Sequence, residues 1–403
     1  MPILKTLTLG CKVNQYETEY LRQGLARLGY RDARDGETAD LGVVNTCTVT
    51  IEAEAKSRKL IRRFARQNPR AEIIVMGCYA TRAAAEAARL PGVVEVVADK
   101  RQLPEVLARR GLVDIPTGIS SFGRRHRAYV KVQDGCRMGC SYCIIPSVRP
   151  TLASRPVEEV LAEVRRLADG GHREIVLTGI HLGHYGLDFG DGRWNLARLL
   201  RTVVATGGSR VEGPESRAQA RAGAITPLSP CGRGAGGEGD VAGATAGSPS
   251  SAKDTVGQAN RGTQSTFADV VREPHQDFRV RLSSIEAAEV TPELLNFLAE
   301  FPQRACPHLH ISMQSGSDAV LARMRRRWPV RQFIERCHEV TRRLDKPALT
   351  TDVIVGFPGE TEEDFLATCR AVSTAAPAAW RRSAGGCGGR ISSGSQAIGC
   401  KCW

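Results

Sequence analysis

The chain has 403 residues, of which 42% are hydrophobic and 25% charged, an ordinary balance for a globular protein of two or three domains. No stretch approaches the roughly 20 apolar residues of a membrane span, and the N-terminus lacks the features of a signal peptide, so we expect a cytoplasmic protein without membrane contact. The formal net charge is +13, and 13 cysteines without an export signal favour metal or catalytic roles over disulfides.

Three basic clusters suit a polyanionic partner such as nucleic acid, although charge runs are also common on solvated helix faces. They are Lys59–Arg66, Arg124–Arg127 and Arg323–Arg327.

Residues 1–112 alternate short apolar segments with amphipathic ones, which predicts an N-terminal parallel-sheet α/β domain. A cysteine follows each of three predicted strands, namely Cys11, Cys47 and Cys78. Because the carboxyl ends of parallel strands meet at one sheet edge, we expect these thiols to converge. Three unrelated buried thiols are the simpler alternative, but the repeated position favours a three-cysteine iron–sulfur site.

After a basic linker at 113–127, residues 128–206 and 277–370 repeat strand–helix units, which predicts an incomplete TIM-like (βα) barrel with ligands at its carboxyl rim. The first barrel strand is followed by a Cys-x3-Cys-x2-Cys run, Cys136, Cys140 and Cys143. Three thiolates leave one iron of a four-iron cluster without a protein ligand. An open iron binds a small molecule and passes it an electron, so the spacing indicates chemistry rather than electron storage.

Two segments break this pattern. Residues 207–276 are rich in Gly, Ala, Ser and Pro, which predicts a disordered low-complexity insertion, and residues 371–403 form a low-complexity, aberrant tail. In the barrel, His181 and His184 resemble a metal pair, but they lie on a Gly-rich loop and no third ligand is evident. We therefore interpret them as rim residues near a substrate.

Eight motifs lie in order along residues 3–206 and 278–370: LGCKVNQYETE, VVNTCTVT, VMGCYA, YVKVQDGCRMGCSYCIIPSVRP, EIVLTGIHLGHYG, RLSSIE, LHISMQSGSD and TDVIVGFPGETEEDF. They resemble the radical S-adenosylmethionine (SAM) methylthiotransferases, and within them the MtaB-type tRNA enzymes. The resemblance implies an N-terminal methylthiotransferase domain and a radical SAM barrel with two 4Fe-4S clusters and SAM as cofactors.

In that family the three barrel cysteines, Cys136, Cys140 and Cys143, correspond to the ligands of the catalytic cluster that binds SAM. The three N-terminal cysteines correspond to ligands of an auxiliary cluster that carries the sulfur. The resemblance less directly implies contacts to SAM at Thr178, Gly179, Ser283, Glu286, Gln314, Ser315, Gly356 and Gly359. For the polar members, strand-end hydrogen bonding is the simpler interpretation.

The implied reaction adds a methylthio group to C2 of N6-threonylcarbamoyladenosine at position 37 in the anticodon loop of tRNA. A reductant protein such as flavodoxin or ferredoxin is the implied electron donor. Alternatives are MiaB-type action on N6-isopentenyladenosine, RimO-type action on a ribosomal aspartate, and a redox-sensing iron–sulfur module. We interpret the sequence as lacking the sixth barrel strand and the TRAM domain that the resemblance implies, so an inactive truncated product that only binds clusters is a further alternative.

Overall fold

The computed structural model describes residues 1–123, 126–206 and 278–376. The predicted insertion and most of the predicted tail therefore lie outside the described residues. The strands are β1 (Ile3–Thr8), β2 (Arg31–Asp32), β3 (Leu41–Thr46), β4 (Glu72–Gly77), β5 (Val93–Val97), β6 (Arg127–Asp134), β7 (Ala153–Ser154), β8 (Glu174–Gly179), β9 (Arg279–Leu282), β10 (Ser284–Glu286), β11 (His308–Ser312) and β12 (Ala348–Thr350).

The helices are α1 (Lys12–Arg27), α2 (Ile51–Gln67), α3 (Cys78–Arg82), α4 (Ala84–Ala88), α5 (Leu103–Arg109), α6 (Ile145–Val148), α7 (Val157–Asp169), α8 (Leu196–Thr206), α9 (Pro292–Glu300), α10 (Asp318–Arg323), α11 (Val330–Arg343) and α12 (Glu362–Ala375).

The N-terminal domain is built on a parallel five-stranded sheet in the order β2-β1-β3-β4-β5. Every residue of β3 is buried, because helices cover both faces of the sheet, as is usual for parallel strands. Thr8 pairs with Asn45, and Thr46 pairs with Gly77, so β1, β3 and β4 end side by side. The predicted α/β domain with its converging strand ends is confirmed.

The second half is an open barrel made of two sheets. The first has the order β7-β6-β8-β9, with β7 antiparallel and the other pairs parallel, and the second is the parallel sheet β10-β11-β12. An isolated bridge from Val280 to Ala305 links β9 to the chain just before β11. The predicted incomplete barrel is confirmed.

The last strand, β12, is short and covers only Ala348–Thr350. Regular pairing ends at Thr350, and beyond it Val353 makes a single bridge to Gln314. Gln314 has a φ of 69°, so the backbone after β11 leaves the extended conformation and the regular ladder ends there.

Side-chain caps set the starts of several helices. Thr50 caps α2 through the N–H of Ala53, and Thr361 forms a reciprocal capping box with Asp364 at the start of α12. Helix α12 continues to Ala375, past residue 371, where the predicted tail begins. No helix in the described ranges has the length and apolar character needed to cross a bilayer.

Candidate functional site

The N-terminal cysteines converge on one cavity. Cys11 lies between β1 and α1, Cys47 directly follows β3, and Cys78 directly follows β4. All three line a cavity of about 240 Å³ together with Thr178, Gly179 and Ser283 from the barrel. Burial is the main factor that raises the pKa of the Cys47 thiol. The cavity thus brings the N-terminal cysteines against the carboxyl ends of barrel strands.

Two asparagines hold the cysteine loops in place. Asn14 donates from Nδ2 to the carbonyls of Leu9 (2.9 Å) and Thr46 (3.0 Å). These two hydrogen bonds connect the ends of β1 and β3. Asn45 donates from Nδ2 to the carbonyl of Asn14 at 2.8 Å. Both side chains are buried, so these bonds are shielded from water and fix the loops that carry Cys11 and Cys47.

The barrel cysteines lie in the loop after β6. The loop starts at Gly135, whose φ is 76° and where a Cβ atom would lie 2.0 Å from the carbonyl oxygen of Thr151. Ser141 fastens the loop to the end of α10, with its N–H donating to Met324 O at 3.1 Å and its hydroxyl donating to Arg323 O at 2.8 Å. The loop is therefore held at both ends.

Both cysteine sets have the chemistry of an iron–sulfur site. Each offers three thiols and thus leaves one iron of a four-iron cluster for an outside ligand. Around the barrel set, N–H groups already point at sulfur. The Met138 N–H donates to Cys136 Sγ at 3.3 Å, and Arg326 Nη1 donates to Cys140 Sγ at 3.7 Å. Such donors stabilise thiolates and tune the potential of a cluster, so the residues fit two clusters.

His181 and His184 stack with ring centroids 3.7 Å apart. His181 lies between Cys136, at 3.6 Å from Nδ1 to Sγ, and Glu289, which contacts Nε2. Burial alone would lower the pKa of His181, but these two contacts raise it to about 10. Burial, together with the nearby charge of His181, lowers the pKa of His184 to about 4.

The expectation that the two histidines have no third ligand nearby was wrong. The ligand atoms of Cys136, His181 and His184 all lie within 4.8 Å of one another. The contact could not be read from the sequence, because Cys136 and His181 are 45 residues apart and follow different strands.

Arg326 is a site residue that the sequence reasoning did not single out. Its guanidinium is ion-paired with Glu286, donates to Tyr142 Oη at 3.3 Å, and lies over the ring of Trp328, 4.3 Å from the centroid. Glu286, an expected SAM contact, is thus already engaged by a cation that also reaches Cys140. The segment RMRRR contains Arg326, but its sequence does not indicate which of the arginines is buried.

The other expected SAM contacts fall in three places. Thr178, Gly179 and Ser283 line the N-terminal cysteine cavity. Ser315 is fully buried, and its hydroxyl lies 3.3 Å from Thr368 Oγ1 of α12. The remaining residues lie in loops with positive φ, namely Gln314 (69°), Gly356 (77°) and Gly359 (78°). A Cβ atom at Gly356 would meet nothing within 4 Å, so that glycine serves the backbone conformation.

A buried ionic network joins the two halves, and its centre is Arg149. The guanidinium binds both carboxylate oxygens of Glu17 on α1 at 2.8 Å, and Asp134 at the end of β6 at 2.8 and 2.9 Å. Lys131 reaches the same two carboxylates at 2.7 and 2.6 Å. Since α1 starts beside Cys11 and β6 ends beside Cys136, this network sets the two cysteine loops relative to each other.

This network predicts a loss of stability in acid. Burial alone would raise the pKa values of Glu17 and Asp134, but Arg149 and Lys131 lower both. A carboxylate with a lowered native pKa contributes stability above its unfolded pKa of about 4, and the contribution is lost as the pH falls below that value. We expect urea unfolding to show a clear fall in stability from pH 6 to about pH 3.

The matched control is Glu17→Gln. This variant is expected to be less stable than wild type at every pH, because Arg149 loses one of its two carboxylate partners. Its loss of stability between the same pH values is smaller, because one of the linked carboxylates is gone. If both proteins lost the same free energy of unfolding between pH 6 and about pH 3, carboxylates outside this network would be responsible for the acid sensitivity.

Two family profiles match the chain. The profile of the Radical SAM superfamily matches residues 130–219 and 245–372, and that of the uncharacterised protein family UPF0004 matches residues 4–99. The first match contains the cysteines of the barrel loop, and the second contains the three cysteines of the N-terminal cavity.

Curated relatives match most of the chain. A threonylcarbamoyladenosine tRNA methylthiotransferase MtaB of Bacillus subtilis (strain 168) is 36% identical over 380 residues, 90% of this chain and 68% of the relative. The protein of the same name from Thermotoga maritima is 33% identical, covering 92% of this chain and 72% of the relative. A tRNA-2-methylthio-N(6)-dimethylallyladenosine synthase of Corynebacterium diphtheriae is 31% identical, with 91% and 63% covered.

Solved structures share the fold at low identity. The radical SAM methyltransferase TsrM from Kitasatospora setae, with cobalamin and a [4Fe-4S] cluster bound, superimposes with a TM-score of 0.55 at 14% identity over 93% of this chain and 73% of that one. The cobalamin-dependent radical SAM enzyme OxsB gives a TM-score of 0.53 at 11% identity, with 93% and 52% covered. At this level of identity the two structures show only that this chain shares their fold.

Proposed function

Since this chain belongs to the radical SAM methylthiotransferases, and within them to the threonylcarbamoyladenosine tRNA methylthiotransferases, we propose that it adds a methylthio group to C2 of N6-threonylcarbamoyladenosine at position 37 of tRNA. One observation carries the proposal. The N-terminal cysteine cavity is lined by barrel residues, so the N-terminal cysteines lie against the carboxyl rim where the barrel binds its ligands. A sulfur-transfer reaction that starts with a radical needs two such sites close together.

Cys136, Cys140 and Cys143 would hold the SAM-binding cluster, and Cys11, Cys47 and Cys78 would hold the auxiliary cluster. When bound, the first supplies an electron for the reductive cleavage of SAM, and the second supplies an open coordination position for the sulfur to be transferred. The target C–H bond has no acidic hydrogen, which is why radical chemistry rather than base catalysis suits this substrate.

The protein's own residues place and shield these groups. Met138 N–H, His181 and Arg326 contact thiol sulfur atoms of the barrel loop and would stabilise them as thiolates. Arg149 and its carboxylates fix the distance between the two cysteine sets without leaving a net charge, because two cations face two anions. The site therefore needs little rearrangement when its cofactors bind.

The SAM-contacting residues remain a proposal in two groups. Thr178, Gly179 and Ser283 lie at the cavity, where they would meet the part of SAM that faces the N-terminal domain. Glu286, Gln314, Ser315, Gly356 and Gly359 do not line that cavity; they lie at the end of β10 and in the segments after β11 and β12. Glu286 would act by holding Arg326, and Ser315 by its contact with α12, because these partners already engage the two side chains.

The proposed partners are the anticodon loop of tRNA and a reductant protein of the flavodoxin or ferredoxin type, in the cytoplasm. A basic face supports the RNA contact: Lys59, Arg62, Arg63 and Arg66 of α2 are all exposed. Clustered cations of this kind bind phosphates and make the affinity fall as salt is added.

The proposal is tested with the full chain, reconstituted anaerobically with iron and sulfide and supplied with SAM, a reductant and tRNA. We expect 5′-deoxyadenosine together with 2-methylthio-N6-threonylcarbamoyladenosine in the digested tRNA, measured by mass spectrometry. Parallel reactions use tRNA that carries N6-isopentenyladenosine. Methylthiolation of that substrate alone would assign the MiaB-type reaction, and cluster binding without SAM cleavage would identify an inactive or redox-sensing product.

A further inference from the structure

The inner face of the second barrel sheet carries a row of polar side chains. Ser284 of β10 pairs with His310 of β11, and His310 pairs with Thr350 of β12. Leu309 and Ile311, the neighbours of His310 along β11, are buried, so His310 lies on the face opposite to them. Side chains of paired residues lie on the same face of a sheet, and both Ser284 and Thr350 are exposed there.

Hydrogen bonds connect the members of this row. Thr350 Oγ1 lies 2.9 Å from Nδ1 of His310 and 3.4 Å from Nε2 of His308, which lies two positions earlier on the same face. Nε2 of His310 lies 3.4 Å from a carboxylate oxygen of Asp352. A hydroxyl has one donor and two acceptor positions, so Thr350 keeps one position for a ligand after its contacts with the two histidines. We call Ser284, His308, His310 and Thr350 the polar row.

The composition of the polar row favours a role in binding. The interior of a closed (βα) barrel is filled by packed apolar side chains, whereas these inward positions are polar and open to solvent. Burial is the main cause that lowers the pKa of His308 to about 4, so its ring is neutral at pH 7. Neutral imidazoles and hydroxyls both donate and accept hydrogen bonds, which suits a polar ligand.

The position of the polar row relates it to the substrate. Ser284 lies at the edge of the N-terminal cysteine cavity, and the other three residues extend from there across β11 and β12. Adjacent strands lie about 4.8 Å apart, so the row spans about 10 Å from β10 to β12. His308, His310 and Thr350 do not line the cavity and are not among the expected contacts to SAM. They are therefore open to a ligand that reaches out of the cavity.

We propose that the Thr350 hydroxyl, held in place by His310, hydrogen-bonds to the N6-threonylcarbamoyl group of the substrate and selects it over an N6-isopentenyl group. The inference rests on the proposed function, in which C2 of the modified adenine meets the sulfur at the N-terminal cysteine cavity. With C2 there, the substituent on N6 lies beside the cavity, where the polar row is the adjoining surface of the barrel.

The two substituents differ in what they offer to this surface. The threonylcarbamoyl group has carbonyl, N–H and hydroxyl groups that can bond to Thr350. An isopentenyl group has none, and it would displace water from the hydroxyl without replacing the lost hydrogen bond, which is costly. Thr350 is thus a specificity-determining residue, and His310 is a positioning residue that acts through it.

The test compares three anticodon stem-loop RNAs that differ only at position 37, which carries N6-threonylcarbamoyladenosine, N6-isopentenyladenosine or unmodified adenosine. Dissociation constants are measured anaerobically by fluorescence anisotropy on the full reconstituted chain. We expect wild type to bind the threonylcarbamoyl stem-loop about tenfold more tightly than the isopentenyl one. Thr350→Val should lower this ratio by about threefold to tenfold, the effect of one hydrogen bond. Thr350→Ser, which keeps the hydroxyl, should retain most of the ratio.

His310→Leu should lower the ratio in the same direction, and adding it to Thr350→Val should have little further effect, because both changes remove one hydrogen bond. The matched control is His338→Leu, since His338 lies on α11 and bonds to the carbonyl of Thr374 at 2.9 Å. It should keep the wild-type ratio. Iron content and circular dichroism are recorded for every variant, so that loss of a cluster or of the fold is separated from loss of recognition.

A ratio that stays at the wild-type value in Thr350→Val would overturn the inference. It would also be overturned if Thr350→Val weakened SAM binding and left the ratio intact, because the row would then serve SAM. Failure of the proposed function gives a different result: wild type would bind the threonylcarbamoyl stem-loop no more tightly than the stem-loop with unmodified adenosine.

Discussion

Replacing Cys136, Cys140 and Cys143 together by alanine is expected to halve the iron content of the reconstituted protein, from about eight to about four irons. The reason is that the two cysteine sets are built on separate loops, one after β6 and the other after β1, β3 and β4. Formation of 5′-deoxyadenosine and methylthiolation of tRNA should both fall to background, because the remaining cluster does not bind SAM for cleavage. Iron analysis and product quantification check this expectation.

A matched control is Cys369→Ala, since Cys369 lies on α12 outside both sets. It should retain the iron content and the SAM cleavage of wild type. The reciprocal triple variant at Cys11, Cys47 and Cys78 should also lose about four irons while keeping SAM cleavage without methylthiolation. If the barrel triple variant kept all its iron, the assignment of a cluster to that loop would be wrong.

Replacing Arg149 by methionine is expected to lower the free energy of unfolding by about 3 to 5 kcal/mol. The side chain is only 2% exposed, and its removal leaves the Glu17 and Asp134 carboxylates buried with Lys131 as their remaining cation. Uncompensated buried charge is among the most destabilising changes a point mutation makes. Urea unfolding at pH 7, followed by circular dichroism, measures the effect.

The control for this change is Arg331→Met. Arg331 pairs with Glu335 on the surface of α11 with 84% of its side chain exposed, so its loss should cost less than about 1 kcal/mol. Arg149→Lys should also be clearly destabilised, because an ammonium group does not reproduce the paired contacts of the guanidinium. Equal stabilities for Arg149→Met and Arg331→Met would show that the buried network contributes little to the stability of the protein.

Much of the site could be predicted because it depends on local pattern. Cys11, Cys47 and Cys78 each follow a short apolar run, and parallel strands necessarily bring such positions to one edge. The spacing of Cys136, Cys140 and Cys143 is itself a local signature, since one loop carries all three thiols. The capping sequence at Thr361 likewise marks the start of α12 without reference to the rest of the fold.

Other features depend on contacts between distant segments, and no local pattern reveals these. Arg149 meets Glu17 across 132 positions, and Arg326 reaches Cys140 across 186. In both cases the sequence shows only an arginine among many. Which arginine is buried depends on whether a carboxylate lies opposite it after folding, because a buried cation needs an anionic partner.

Periodicity and motif spacing were therefore enough to predict the α/β domain, the incomplete barrel and the convergence of the three N-terminal cysteines, because strand ends and loop spacings are set by neighbouring residues. The folded chain was needed to show that His181 lies against Cys136, that Arg149 joins the two halves, and that His310 lies against Thr350. These contacts arise from packing between separate strand–helix units, and packing depends on shape and charge that only the folded chain brings together.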